Sequence, residues 1–231
     1  MKNDPQMPGN QPETTEIDGF EPVRAAILPK MLELAPFDGW TMTTADAAAR
    51  QADITSAALR AAFPDGIRDI LRYWSHINDQ TMGVAMAEPE FAGLKIREKV
   101  AFAVRTRLDQ LRPHKEAARR ASALMLLPPY AALGAQLAWK TADAIWRGLG
   151  DKSTDFNYYS KRGILTGVWT STFARWLSDD SEDEAPTRAF LDARIENVMQ
   201  IEKLKAKVRD LDLDPQKPIE WLAKMRYPAG G

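Results

Sequence analysis

The sequence contains no cysteine, and this absence excludes disulfide bonds and thiolate catalysis. Its two histidines, His76 and His114, are far apart in the chain, which excludes a histidine-rich metal site but leaves carboxylates available. Neither histidine has a glutamate three residues before it, so the Glu-x-x-His motif of helical di-iron proteins is missing. We therefore expect a protein without catalytic residues, metal or cofactor.

The chain also lacks an excess of charge of either sign. Its formal net charge is −1 and its pI is about 6.2, whereas a nucleic-acid-binding domain usually has a basic face. One stretch, residues 121–139, has no charged residue over a length that could cross a bilayer. Pro128 and Pro129 at its centre, with Ser122 and Gln136, predict instead two buried or lipid-facing helix ends that meet at a proline turn.

The first 20 residues are polar, acidic and proline-bearing. They lack the apolar segment of a signal peptide and the arginine-rich, acid-poor composition of a transit peptide. We therefore expect residues 1–20 to form a disordered tail and the protein to be cytoplasmic.

Apolar residues recur at helical spacing, and no stretch alternates polar and apolar residues long enough to predict a strand. The sequence thus predicts an all-α fold, with an acidic, solvated loop at 178–186. The predicted helices are Glu21–Leu34, one from Thr44, one from Thr55, Asp65–Met86, Leu94–Leu111, Lys115–Leu127, Tyr130–Leu149, one from Thr154 or Asp155 to Leu177, one from Pro186 to about Leu211, and 218–227.

Residues 52–71, ADITSAALRAAFPDGIRDIL, resemble the helix-turn-helix of TetR-type regulators. The resemblance implies a TetR-like fold, which as a rule is dimeric. We expect a tail at 1–20, a helix-turn-helix-like subdomain at 21–65, a helical lipid-binding body at 66–212, and a linker with a short amphipathic helix at 213–231.

The helix that would enter the DNA groove offers only Thr55, Ser56 and Arg60 as polar contacts. Affinity for DNA grows with the number of phosphate contacts, and one arginine supplies few of them. We therefore do not expect DNA binding, although a ligand-responsive TetR-type regulator stays open as an alternative.

Two further stretches, STDFNYYSKRGILTGVWTST (153–172) and RAFLDARIENVMQIEKLK (188–205), resemble the ubiquinone-biosynthesis accessory family called coenzyme-Q biosynthesis protein nine. Weaker likeness extends to 96–108 and 39–49. Members look like TetR-fold proteins that lost DNA binding. The resemblance implies binding of an isoprenoid quinone or a phospholipid, and support of the demethoxyubiquinone hydroxylase.

By the same resemblance, the face presented to the hydroxylase contains Tyr158, Tyr159, Arg162 and Asp155. Mitochondrial relatives tend to have tryptophan where Tyr158 stands, so this contact is smaller here. Helical spacing independently places Tyr158, Arg162, Leu165 and Trp169 along one side of a helix. Alternatively, the aromatic rings belong to the core and Lys161-Arg162 is a solvated edge.

A polyprenyl tail binds because its apolar surface leaves water. We therefore expect a lipid tunnel bounded by the fourth to eighth of the predicted helices. The alternative is that these side chains are ordinary core. Gly163 and Gly167 leave room either for a ligand or for close helix packing. The predicted lipid-binding residues are Leu124, Leu127, Tyr130, Leu133, Leu137, Ile145, Trp146, Leu165 and Trp169.

Near the C-terminus, PIEWLAKMRY (218–227) combines apolar residues with flanking lysine and arginine, a composition that suits a membrane surface. The predicted membrane contacts are Ile219, Trp221, Leu222 and Met225. Packing of this segment on its own domain or on a second subunit is the alternative.

Together these patterns predict a homodimeric, non-enzymatic accessory protein of ubiquinone biosynthesis. It would associate peripherally with the inner membrane, bind an isoprenoid quinone intermediate and present it to the demethoxyubiquinone hydroxylase. A lipid carrier without a hydroxylase partner is the second alternative.

Overall fold

A computed structural model describes residues 19–152 and 156–210. In these ranges the chain is helical and contains no strand, so the all-α prediction is confirmed. The helices are α1 Glu21–Asp38, α2 Met42–Gln51, α3 Ser56–Ala62, α4 Ile67–Ala85, α5 Pro89–Ala92, α6 Ile96–Leu111, α7 Lys115–Met125, α8 Pro128–Gly148, α9 Phe156–Leu177 and α10 Ala185–Asp210, with a 3-10 turn at Arg112–His114.

The chain forms two compact units. Of the described residues, the first unit contains 19–76 and Glu116–Leu133, and the second contains Ile77–Lys115, 134–152 and 156–210. The sequence instead predicted a division near residue 65. The difference arises because α7 packs with the first helices: Trp40 donates its indole N–H to the carbonyl of Ala117 at 3.0 Å and stacks on Trp74.

In the first unit, the starts of α2 and α3 are fixed by threonine caps. The hydroxyl oxygen of Thr41 accepts a hydrogen bond from the backbone N–H of Thr44, and that of Thr55 accepts one from Ala58. The helix predicted to begin at Thr55 is therefore capped by that residue. The helix predicted to begin at Thr44 begins earlier, because Thr41 has the extended backbone of a cap and Thr44 is a buried residue inside the helix.

The helix that resembles a DNA-reading helix, α3, has its polar side chains occupied by α2. Ser56 donates to Asp46 at 3.1 Å, and the guanidinium of Arg60 lies 3.7 Å from the same carboxylate. A phosphate approaching Arg60 would therefore meet a neighbouring negative charge.

The interior of the second unit combines large apolar side chains with buried polar residues, among them a group centred on Asp79. Arg107, which is 4% exposed, donates to the Asp79 carboxylate at 2.9 Å and lies over the ring of Trp169. Thr141 donates to the same carboxylate. Because Asp79, Arg107 and Thr141 stand on α4, α6 and α8, this group ties three helices together.

The acidic loop between α9 and α10 differs from its prediction as a solvated loop. Asp180, Glu182 and Asp183 are exposed, but Asp179 and Glu184 are buried. Asp179 accepts hydrogen bonds from the backbone N–H and the hydroxyl of Thr187, and so caps the first turn of α10. The loop is therefore anchored at both ends by carboxylates.

Within the described residues, no single helix has both the length and the apolar composition needed to span a membrane. The segments Ile96–Met125 and Pro128–Gly148 meet those criteria only as a pair, with a bend of 120° between them. This bend lies at the proline turn that the sequence predicted.

Several predictions concern parts of the chain outside the described residues. They are the disordered tail up to residue 18, the partner contact Asp155, and the C-terminal segment with Ile219, Trp221, Leu222 and Met225.

Candidate functional site

The candidate site is formed by the first turns of α9, the second half of α8 and the loop between them. Arg162 of α9 is 2% exposed. Its Nε donates to the Asp143 carboxylate at 2.5 Å, and a terminal nitrogen donates to Asp151 at 3.1 Å. The same nitrogen donates to the carbonyl of Tyr158, one turn earlier. Arg162 thus fixes the start of α9 to both α8 and the loop.

The charged side chains of Arg162, Asp143 and Asp151 stabilise one another electrostatically. Burial favours the neutral form of Arg162, but its bonds to Asp143 and Asp151 outweigh this effect and raise the pKa of Arg162. Burial likewise acts to raise the pKa of Asp143, but hydrogen bonds from Arg162 and Arg147 outweigh it, so that pKa lies below its usual range. Both shifts favour the charged forms of Arg162 and Asp143.

A second set of contacts holds the same turn of α9. Lys161 donates to Asp151 at 2.7 Å and places its ammonium over the ring of Trp146 at 5.3 Å. The indole N–H of Trp146 in turn donates to the carbonyl of Lys161. Trp146, predicted to line a lipid tunnel, is thus half-buried and engaged in holding α9.

The two tyrosines of the motif have different surroundings. Tyr158 is half-buried, with the guanidinium of Arg162 stacked 3.5 Å from its ring centre. Tyr159 is 63% exposed, with its ring edge-on to Tyr158 at 5.1 Å and 6.4 Å from that of Trp139. In the part of the motif whose side chains are described, residues 158–172, Tyr159 is the large apolar side chain that is exposed to a partner.

The predicted role of Arg162 as a direct partner contact needs correction. Its guanidinium is buried and bonded to two carboxylates, so it has no surface to offer. The predicted alternative of a solvated Lys161-Arg162 edge does not describe Arg162 either. Arg162 is a positioning residue that holds the backbone from which Tyr159 projects.

Beyond Tyr159, the exposed side of α9 is flat. Gly163 and Gly167 follow it at intervals of four residues and are both exposed. A Cβ atom added at either glycine would meet nothing within 4 Å. The glycines therefore do not serve close packing inside the described chain, which was one of the two predicted explanations. We call Tyr159, Gly163 and Gly167 the α9 face.

The predicted lipid-binding residues lie in several environments. Leu133, Leu137, Ile145, Leu165 and Trp169 are buried, Leu124 and Tyr130 are half-buried, and Leu127 is 52% exposed. The ring of Trp169 stacks on Phe173 at 5.3 Å, and Phe173 stacks on Trp176. This packing places Trp169 in the interior of the second unit.

An open groove of about 710 Å³ lies between α6 and α10. Leu94, Phe102 and Ile195 supply apolar walls, whereas Arg97, Arg105, Glu98, Asp109, Asp192 and Glu196 surround them with charge. Such a lining suits a polar or amphipathic ligand better than a polyprenyl tail. This groove is not the predicted lipid tunnel, which was expected between the fourth to eighth predicted helices, here α4 and α6 to α9.

The carboxylates of the site were missed by reasoning from the sequence. Asp143 precedes Arg147 by four residues, a spacing that predicts only a surface ion pair on one helix. Its bond to Arg162 depends on how α8 and α9 pack, and one sequence carries no signal for that. Asp151 lies between two predicted helices, where the sequence assigns it no role.

Comparison with known proteins shows what the site is similar to. Residues 131–202, which include most of α8, all of α9 and much of α10, match the COQ9 family model. It is 32% identical over 195 residues to the mitochondrial ubiquinone biosynthesis protein COQ9 of Rattus norvegicus. It is 30% identical over 195 residues to the mitochondrial COQ9 of Homo sapiens.

The COQ9 match covers 82% of this chain but only 62% of the rat protein and 61% of the human one. A solved TetR transcriptional regulator from Nitrosomonas europaea aligns with a TM-score of 0.63 and 19% identity. The alignment covers 76% of this chain and 97% of the regulator, which confirms the TetR-like fold.

The buried carboxylates lead to a prediction about acid stability. The pKa of Asp143 is lowered as described above, that of Glu184 is lowered by hydrogen bonding to Arg112, and that of Asp179 by bonds from Ser181 and Thr187. Carboxylates with lowered pKa stabilise the fold fully above their unfolded pKa of about 4, and this stability is lost as the pH falls below it.

We therefore expect the urea midpoint of unfolding to change little between pH 7 and pH 5 and to fall steeply from pH 5 to pH 3. Tryptophan fluorescence measured at fixed ionic strength checks this. A midpoint that is the same at pH 3 and pH 5 would contradict the role given to these carboxylates.

Proposed function

We propose that this protein is an accessory protein of ubiquinone biosynthesis that docks a partner enzyme through the α9 face. The observation that carries the proposal is the pairing of an exposed Tyr159 with a rigidly held first turn of α9, inside the stretch that matches the COQ9 family model. Tyrosine is enriched at the energetic centres of protein interfaces, and a held side chain loses little entropy on binding. The relatives' names supply the pathway.

Gly163 and Gly167 add a geometric element. Because no side chain covers the backbone at these positions, a helix of a partner can approach α9 closely, with Tyr159 at one end of the contact. The partner that the motif's family resemblance implies is the demethoxyubiquinone hydroxylase. Arg162 would contribute through the position of Tyr158 and Tyr159 and not through contact.

The lipid part of the proposal rests on the family resemblance and on the apolar interior of the second unit. An isoprenoid quinone or a phospholipid would exchange the bilayer for that interior, at little cost because both environments are apolar. The protein would then present the lipid to the hydroxylase at the inner membrane, as a peripherally associated homodimer. Its contribution is to position the lipid.

The same protein and its variants also test two alternative functions. A lipid carrier without a hydroxylase partner would keep its lipid and show no dependence on the α9 face. A TetR-type regulator is less well supported, since Asp46 neutralises Arg60 on α3. A gel-shift experiment with DNA addresses it.

Variants of the α9 face should separate docking from folding. We expect Tyr159→Ala to weaken capture of the co-expressed hydroxylase by about tenfold or more, the size expected of an interface centre. Gly167→Leu should also abolish capture, because its side chain fills the space that the partner helix needs. Affinity pull-down with quantification of the bound hydroxylase is the measurement.

The matched control is Gly83→Leu on α4, another exposed helical glycine with open space around it. It should bind the hydroxylase as the unaltered protein does. Native mass spectrometry of each variant reports bound lipid, which should not change. If Gly167→Leu and Gly83→Leu bind equally well, the α9 face is not the docking surface.

A further inference from the structure

The turn between α7 and α8 exposes apolar side chains. Leu126 is 80% exposed and Leu127 is 52% exposed, and both stand directly before Pro128 and Pro129. The neighbouring residues Ala123, Pro128, Pro129, Ala131 and Ala132 are exposed as well. We call this surface the α7–α8 tip. It contains no charged and no strongly polar side chain.

The backbone of the tip has its donors satisfied. The N–H of Leu126 donates to the carbonyl of Ser122, that of Leu127 to Leu124, and that of Tyr130 to Leu127. Pro128 and Pro129 have no N–H to satisfy. Since an unpaired N–H is costly in an apolar medium, a turn with every donor from 126 to 130 bonded or absent can enter such a medium cheaply.

Arginines surround the tip. Arg68 lies over the ring of Tyr130 at 5.0 Å and donates to the carbonyl of Pro129 at 3.1 Å, so its charge is held beside the prolines. Arg119 and Arg120 stand two turns before Leu126 and Leu127 on α7. The acidic groups among them are Asp65, which contacts Arg68, and Glu116, which contacts Arg119 and Arg120.

We propose that the α7–α8 tip inserts into the surface of a bilayer that contains anionic phospholipid. The two leucines and the prolines would enter the acyl region, and the arginines would lie at the depth of the phosphates. A stable protein interface needs about 800 Å² from each partner, and an apolar tip of two leucines is small for that. The contact is independent of quinone chemistry and of residues 218–227.

The absence of cysteine from the 231 residues allows a direct test on this chain. Leu126→Cys carries a single label, the environment-sensitive fluorophore NBD, and Phe37→Cys, at a residue that is also 80% exposed, carries the control label. With vesicles of phosphatidylglycerol and phosphatidylethanolamine, NBD at 126 should shift to the blue and brighten about twofold or more, as expected for a fluorophore leaving water. NBD at 37 should not change.

Flotation gives a second, independent readout. The double variant Leu126→Ser/Leu127→Ser should bind these vesicles about tenfold more weakly, since two apolar side chains no longer leave water on binding. Both residues are exposed, so the fold should tolerate the change, and Phe37→Ser is the matched control. Vesicles of phosphatidylcholine alone should bind weakly, because the arginines then lack anionic partners.

Each other outcome overturns the proposal. A protein that floats while NBD at 126 stays unchanged is held by another segment, such as residues 218–227. If NBD at 126 shifts to the blue in the absence of vesicles, and the shift grows with protein concentration, the tip contacts a second copy of the protein instead. None of these results depends on hydroxylase capture, so failure here and failure of the proposed docking function are distinguishable.

Discussion

Arg162→Met is expected to lower the free energy of unfolding by about 3 kcal/mol, the low end of what breaking a buried ion pair costs. The substitution leaves Asp143 and Asp151 without the cation that bonds to both of them. Arg147 and Lys161 stay beside these carboxylates and limit the loss. Urea unfolding followed by circular dichroism measures the change.

The control for this experiment is built into the same network. Arg147 contacts the same carboxylate, Asp143, but its side chain is 71% exposed. Arg147→Met should therefore cost less than about 1 kcal/mol, as is usual for solvent-exposed pairs. Equal losses for Arg162→Met and Arg147→Met would show that burial of the pair is not the cause.

The same variant distinguishes positioning from contact in partner binding. We expect Arg162→Met to weaken hydroxylase capture together with stability, whereas Tyr159→Ala should weaken capture and leave the urea midpoint unchanged. Arg162→Lys should rescue neither property fully, since one ammonium cannot reproduce the separate bonds from two guanidinium nitrogens.

Trp176→Ala is the second change with a large expected effect, a loss of about 3–5 kcal/mol in the free energy of unfolding. Trp176 has no exposed surface and stacks on Phe173 at 5.9 Å. Its indole N–H donates to Glu184 at 2.8 Å, and the ammonium of Lys115 lies over its ring. Truncation removes packing and leaves the buried carboxylate of Glu184 with one donor fewer.

Trp176→Phe separates these two contributions. It keeps most of the stacking and removes the donor to Glu184, and we expect a loss of about 1–3 kcal/mol. Phe37→Ala, which alters a side chain that is 80% exposed, should stay within about 0.5 kcal/mol of the unaltered protein. Thermal or urea unfolding at pH 7 checks the order; a Trp176→Ala loss no greater than that of Phe37→Ala would contradict it.

The helices were largely predictable because their positions follow from the spacing of apolar residues and from capping and helix-breaking residues nearby in the sequence. The third helix was expected from Thr55 and is capped there, and α6 was expected to end at Leu111 and does. By contrast, α1 was expected to end at Leu34 but continues through Pro36 to Asp38, where Gly39 takes a positive φ of 75°. Proline spacing alone could not show that α1 tolerates two prolines.

The candidate site was predictable only in part. Aromatic and basic residues at helical spacing identified the first turns of α9, and the exposure of Tyr159 is compatible with its predicted role. The burial of Arg162 was not predictable, because it depends on Asp143 of the neighbouring helix and Asp151 of the loop. The acidic loop shows the same limit: local composition suggests solvent, but Glu184 meets Trp176 and Arg112 only in the folded chain.

The contact between Arg60 and Asp46 has a consequence for protein engineering. A phosphate brought against α3 would meet the carboxylate of Asp46 beside Arg60, the one basic residue of that helix. Building an operator-reading surface here would therefore require at least two changes, removal of Asp46 and addition of further cations on α3.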